Sequence, residues 1–144
     1  MAVIDKQKNS ILIVDDDPTN LILLGRILGD NYKLYLAKDG DAALALAKKH
    51  VPDLILLDII MPEMDGYQVM AEMKKTPETS EIPVIFISAL DSAESEEYGI
   101  SLNAVDYITK PFNSKTVLAR VENHMKMINA SRLLNELNDG DVKP

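Results

Sequence analysis

Three stretches of the chain are apolar without interruption: Ile11-Leu-Ile-Val14, Leu54-Ile-Leu-Leu57 and Val84-Ile-Phe-Ile87. A strand with one face in water alternates polar and apolar residues, whereas a strand covered by helices on both faces does not. These three are therefore expected at the centre of a parallel sheet. Leu34 to Leu36 and Ala104 to Ile108 complete a set of five, and the alternation in Leu34-Tyr35-Leu36 suits an edge strand. Segments of helical period lie between successive runs, so the chain reads as α/β with a five-stranded parallel sheet.

The punctuation agrees. Asp17 before Pro18 reads as an N-cap followed by proline at the first helical position, opening a helix with Leu21, Leu24 and Leu28 on one face. Asp39 caps a second helix that ends before Pro52. A third runs from about Gly66, with Val69 and Met73 inward, to Thr76-Pro77. The fourth, Ser92 to Ser101, is rich in Glu, offers only Ala93 and Ile100 to the core, and is expected to be the loosest element. A fifth begins at Asn113 or Ser114 and meets no Pro or Gly until Gly140.

A chain of 144 residues with 47% hydrophobic content supports one core. Fifteen Lys and Arg against 23 Asp and Glu leave a net charge of −8, which repels a phosphate backbone or an anionic membrane surface. No direct nucleic-acid binding and no membrane association are expected. The absence of cysteine removes disulfides, thiolate metal sites and thiol nucleophiles. No apolar run approaches a membrane span and the polar start lacks a signal-peptide core, so a cytoplasmic protein is expected.

In an open parallel sheet, ligands bind beyond the carboxyl ends of the strands. The first run ends in Asp15-Asp16-Asp17, the third in Asp58, the fourth in Ser88, and the fifth is followed by Thr109 and Lys110. Carboxylates gathered at one edge repel unless a cation joins them, and an oxygen-only donor set suits a hard divalent ion, Mg²⁺ above all. A hydroxyl and an ammonium beside such an ion suit phosphoryl transfer with a carboxylate as nucleophile.

The segments Ile-Leu-Ile-Val-Asp15-Asp16-Asp17-Pro, Leu-Leu-Asp58-Ile-Ile-Met-Pro62-Glu-Met-Asp65-Gly66, Ile-Ser88-Ala89 and Asp106-Tyr107-Ile-Thr-Lys110-Pro111-Phe112 together resemble the response-regulator receiver domain over roughly residues 10 to 126. The resemblance implies a doubly wound, flavodoxin-like (βα)₅ fold with an extended C-terminal helix. It also implies a phosphorylation-dependent signalling switch in which Asp58 accepts a phosphoryl group from a histidine kinase or phosphotransfer protein. Asp16 and Asp58 would bind Mg²⁺ directly with the Ile60 carbonyl, and Asp15 mainly through water. Ser88 and Lys110 would contact the phosphoryl oxygens, and Tyr107 would be the switch that turns inward. A face formed by the fourth helix, fifth strand and fifth helix would then control a partner, a dimer or an output domain. Such a chain is no enzyme beyond catalysing its own phosphorylation and dephosphorylation. The family's Lys-Pro bond, here Lys110-Pro111, is expected to be cis. One departure is Leu102-Asn103-Ala104, where a glycine is usual; Asn is the best substitute for a left-handed conformation.

Each residue has a plainer reading beside this one. Asp15 to Asp17 also form a helix-capping cluster, Tyr107 also reads as a half-buried strand aromatic, and Ser88 and Lys110 carry weight only through position. His124 reads as a solvated helix residue and His50 as a residue at a helix end. Asp58 among aliphatics is harder to dismiss, because a buried carboxylate without a partner is costly. A rival from another class is a haloacid-dehalogenase-like phosphatase using Asp15 and Asp17. It lacks a role for Asp58, and its further acidic pair would have to be Asp139 and Asp141 in the tail. A degenerate receiver that only binds proteins is a third reading.

The domain organisation expected is an N-terminal extension over 1–9, the receiver over 10–126 and a helical extension and tail over 127–144. The residues after 126 are too few for an output domain, so the chain reads as a single-domain regulator or as part of a longer protein. The last helix could run about 39 Å from Asn113 to Asn138 at ~1.5 Å per residue. Its first half offers Leu118, Val121, Met125 and Ile128 for packing on the sheet. Met127, Ala130, Leu134 and Leu137 form a second, offset 3-4-3 stripe suited to a homodimer seam or an output-domain connector.

Overall fold

The computed structural model describes residues 8–142. In chain order the elements are β1 (Ser10–Val14), α1 (Pro18–Leu28), β2 (Lys33–Ala37), α2 (Gly40–His50), β3 (Leu54–Asp58), α3 (Gly66–Lys75), β4 (Val84–Ser88), α4 (Ala93–Ser101), β5 (Asp106–Thr109) and α5 (Ser114–Val142). The strands form one five-stranded sheet in the order β2-β1-β3-β4-β5, with every pairing parallel. The uninterrupted runs occupy the three central positions. All residues of β3 and β4 are buried, while β2, on the edge, is mostly half-exposed. β5, the other edge, starts at Asp106 rather than Ala104. Asn103 turns the chain at φ 74, the left-handed conformation expected of it.

Caps set where the helices begin. Asp17 accepts from the Thr19 N–H at 2.9 Å with Pro18 next to it, and Asp39 accepts from the Ala42 N–H at 2.8 Å. α3 opens with a capping box: Gln68 N–H donates to Asp65, and Asp65 N–H donates to Gln68, both at 2.9 Å. Leu21, Leu24 and Leu28 of α1 and Val69 and Met73 of α3 are buried as the periodicity predicts. His50 at the end of α2 stacks on Tyr35, centroids 4.2 Å apart.

α4 corrects the sequence reading. Ala93 and Ile100, expected inward, are exposed, and Gly99 is the residue α4 buries. A Cβ at Gly99 would stand 3.0 Å from Phe86 Cδ2 and 3.2 Å from Tyr107 Cδ2. The helix approaches the sheet through its one side-chain-free position, and that rotation turns Ala93 and Ile100 outward.

The chain divides into two compact units after Phe112. In the second, Asn113 caps α5 by accepting from the Lys115 N–H at 2.8 Å. Val117, Val121 and Met125 are buried, Leu118 and Ile128 half-buried, and Met127, Leu134 and Leu137 more than half exposed. Val117 therefore takes the place expected of Leu118. The side chains of Asp139 and Asp141 lie outside the described residues. Among the described residues, no helix is long and apolar enough to cross a membrane.

Candidate functional site

The sheet register brings the functional residues to one edge. Val14 pairs with Leu57, Asp58 with Ile87 and Ser88 with Thr109, so Asp15, Asp58, Ser88 and Lys110 emerge at one level. β1 and β3 are also where the strand order reverses, since β2 lies on one side of β1 and the later strands on the other. Crossover helices diverge there and leave a crevice.

Asp15 is 1% exposed. Its Oδ1 accepts from the Asp17 N–H at 2.9 Å, which aims Oδ2 at the Lys110 ammonium, also 2.9 Å away. Lys110 Nζ lies 3.3 Å from Asp58 Oδ2, so one cation bridges two buried carboxylates. Asp58 Oδ1 is buried without a hydrogen-bond partner. Asp16 stands exposed at the rim, and carboxylate oxygens of Asp15, Asp16 and Asp58 all lie within 4.8 Å of one another.

Burial, and secondarily the Asp15 charge, push Asp58 from 3.8 up to about 6, against the pull of Lys110 and the Ile60 backbone. Burial pulls Lys110 down, but its bond to Asp15 and the charges of Asp58 and Asp15 hold it above its ordinary value. The cluster is short of positive charge, and a buried oxygen in it lacks a donor. Three carboxylates with no nitrogen or sulfur donor among them fit a hard divalent cation such as Mg²⁺.

Ser88 is fully buried, and its Oγ accepts from the Leu90 N–H at 3.2 Å. Its carbonyl accepts from the Lys110 N–H at 2.7 Å, which sets the start of the lysine side chain. Tyr107 is buried, and its hydroxyl donates to the Leu90 carbonyl at 2.7 Å. The backbone N–H and C=O of Leu90, on either side of its Cα, thus link Ser88 to Tyr107, a role no sequence signal reveals because it belongs to backbone atoms. The Lys110-Pro111 bond is cis, as expected.

Past Asp58, the Ile60 side chain is 54% exposed at the rim. The turn after it closes with Gly66 N–H donating to the Ile59 carbonyl at 2.8 Å, and Glu63 takes φ 68. A Cβ on Gly66 would overlap the Asp58 carbonyl oxygen and stand 2.8 Å from Ile59 Cα. Gly66 therefore lets α3 start directly against the backbone that carries Asp58. Asp17 is committed to capping α1 and is not among the clustered carboxylates of the described residues.

Comparison with known proteins identifies the family. Residues 11–122 match the model of the response regulator receiver domain. A probable cyclic di-GMP phosphodiesterase of Vibrio cholerae is 38% identical over 139 residues, 96% of this chain and 32% of that protein. The response regulator PleD of Caulobacter vibrioides is 42% identical over 112 residues, 77% of this chain and 25% of that protein. The chain thus spans a third or less of the length of these relatives. Among solved structures, the Vibrio cholerae chemotaxis protein CheY4 superposes with a TM-score of 0.76 at 28% identity, covering 81% of this chain and 98% of that one. The chain belongs to the response-regulator receiver family of two-component signalling.

Proposed function

We propose that the chain is a phosphorylation-dependent switch whose acceptor is Asp58. The observation that carries this reading is Asp58 Oδ1: a buried carboxylate oxygen with no partner, clustered with the carboxylates of Asp15 and Asp16, on a residue whose other oxygen meets Lys110. An in-line donor such as a phosphohistidine meets that oxygen as nucleophile. The new O–P bond forms as the N–P bond breaks, and the bonding pair leaves with the imidazole. The Lys110 ammonium and the Ser88 hydroxyl would meet two phosphoryl oxygens as these gain negative charge. Asp16, Asp58 and the Ile60 carbonyl would hold Mg²⁺, with Asp15 acting through water; when bound, the ion neutralises charge between Asp58 and the incoming phosphoryl group.

Ser88 is engaged by the Leu90 N–H, and the Leu90 carbonyl by Tyr107, so a Ser88 hydroxyl drawn to a phosphoryl oxygen repositions the Leu90 backbone and favours the buried Tyr107. Phosphorylation then shifts a pre-existing equilibrium and changes the surface of α4 and β5 that a partner reads. We assign the receiver to 10–126 and the helical extension to 127–144. In that extension Met127, Leu134 and Leu137 form an exposed stripe suited to a second copy or an output domain.

Intact mass after acetyl phosphate with Mg²⁺, followed by borohydride trapping, tests the acceptor. A modified peptide spanning Leu54 to Met61 is expected. Labelling of Asp15, or phosphomonoester turnover that survives Asp58→Asn, refutes the reading in favour of a phosphatase. Sedimentation of the full chain and of a version ending at Asn129, each with and without beryllofluoride, tests the stripe; a monomer throughout excludes self-association through it.

A further inference from the structure

α4 poses a packing problem. Helices are held to sheets by buried apolar side chains, yet the residue α4 buries is Gly99, which has none. Its anchorage is aromatic and lateral. Tyr98, half in solvent, meets Tyr67 of α3 edge-on, with centroids 4.8 Å apart and planes at 84°. Tyr67 meets Phe86 of β4 at 5.5 Å and 76°, and Phe86 meets Tyr107 of β5 at 6.4 Å and 62°. The row returns to α4, because the space over Phe86 and Tyr107 is the notch left by Gly99. The height of α4 over the sheet and the seat of the Tyr107 ring are therefore one geometric quantity. If α4 settles by a few tenths of an ångström, Tyr107 loses its seat; if Tyr107 leaves, α4 loses its floor.

We propose that Tyr98 and Tyr67 are positioning residues of the switch, a clasp that holds α4 at the level where the Tyr107 ring fits beside Gly99 and so couples α4 to Tyr107. The proposal rests on the reading of Asp58 as phosphoacceptor and of Tyr107 as its switch. An edge-to-face aromatic pair biases an equilibrium by about twofold to tenfold. Removing the clasp lowers the population in which Tyr107 is seated by that factor, and a ligand that requires this state binds correspondingly more weakly.

The test uses the full chain labelled with fluorotyrosine and titrated with beryllofluoride and Mg²⁺, reading the Tyr107 fluorine resonance and amide exchange across α4. Tyr98→Ala is expected to raise the titration midpoint about twofold to tenfold, while Tyr98→Phe, which keeps the ring, leaves it unchanged. Tyr67→Leu is expected to raise the midpoint too, and the double variant to fall short of the product of the single effects because the two rings act as one contact. A Tyr98→Ala chain with faster α4 exchange but the wild-type midpoint overturns the coupling and leaves Tyr98 a purely structural residue. Independent, multiplicative effects, or a Tyr98→Phe chain that behaves like Tyr98→Ala, overturn it as well. A wild-type chain whose Tyr107 resonance ignores beryllofluoride overturns the phosphoacceptor reading itself, an outcome distinct from failure of the clasp alone.

Discussion

Asp58→Asn removes a charge that the fold holds at a cost. Burial and the Asp15 carboxylate raise Asp58 from 3.8 to about 6, so the folded state binds its proton more tightly than the unfolded chain does. The stability linked to that proton is fully present below about pH 3.8, falls as pH rises, and is gone above about pH 6. A shift of roughly two units corresponds to about 3 kcal/mol between the charged and neutral forms. Asparagine has the shape of the neutral form, so without Mg²⁺ at about pH 7.5 the variant should be more stable than wild type by about 3 kcal/mol. In urea this moves the midpoint up by about 1–3 M. The advantage should vanish as pH falls towards 4. It should also shrink when Mg²⁺ is added, because an ion at a hundred times its dissociation constant stabilises the wild-type fold by about 2.7 kcal/mol. Urea titrations in EDTA across this pH range, then with Mg²⁺, give the answer. A variant less stable than wild type in EDTA, or a stability gap indifferent to pH, would refute the argument that Asp58 is held charged against its surroundings.

Gly66→Ala should destabilise the fold by about 2–4 kcal/mol, because its Cβ meets backbone at Asp58 and Ile59 that cannot swing aside; thermal unfolding measures it, and a change under about 0.5 kcal/mol would contradict the close approach. At Asn103, with φ 74, Gly should be tolerated and Val should cost about 1–2 kcal/mol, so equal melting temperatures for the two variants would be inconsistent with a left-handed turn. Ile60, exposed at the rim, and half-buried Leu90 have aliphatic side chains that cannot orient an attacking water by hydrogen bonding. Ile60→Asn with Leu90→Glu should speed loss of the acyl phosphate several-fold in a Mg²⁺-dependent dephosphorylation assay, and an unchanged or slower rate would count against this role.

Local chemistry made much of the molecule legible before folding is considered. Uninterrupted apolar runs can be buried only between two helix layers, so the central strands were readable from Ile11, Leu54 and Val84 onward. Asp17 and Asp39 cap helices through bonds reaching two or three residues, and a strand's last residue must stand at the sheet edge, which singled out Asp58 and Ser88. What remained hidden depends on distance across the sheet rather than along the chain. No spacing discloses that Lys110 bridges Asp15 and Asp58, that one oxygen of Asp58 has no donor, or that the Leu90 backbone joins Ser88 to Tyr107. α4 shows the limit most clearly. Periodicity seeks apolar side chains and pointed to Ala93 and Ile100, whereas the helix packs through Gly99 because two rings from β4 and β5 already fill the space a side chain would need.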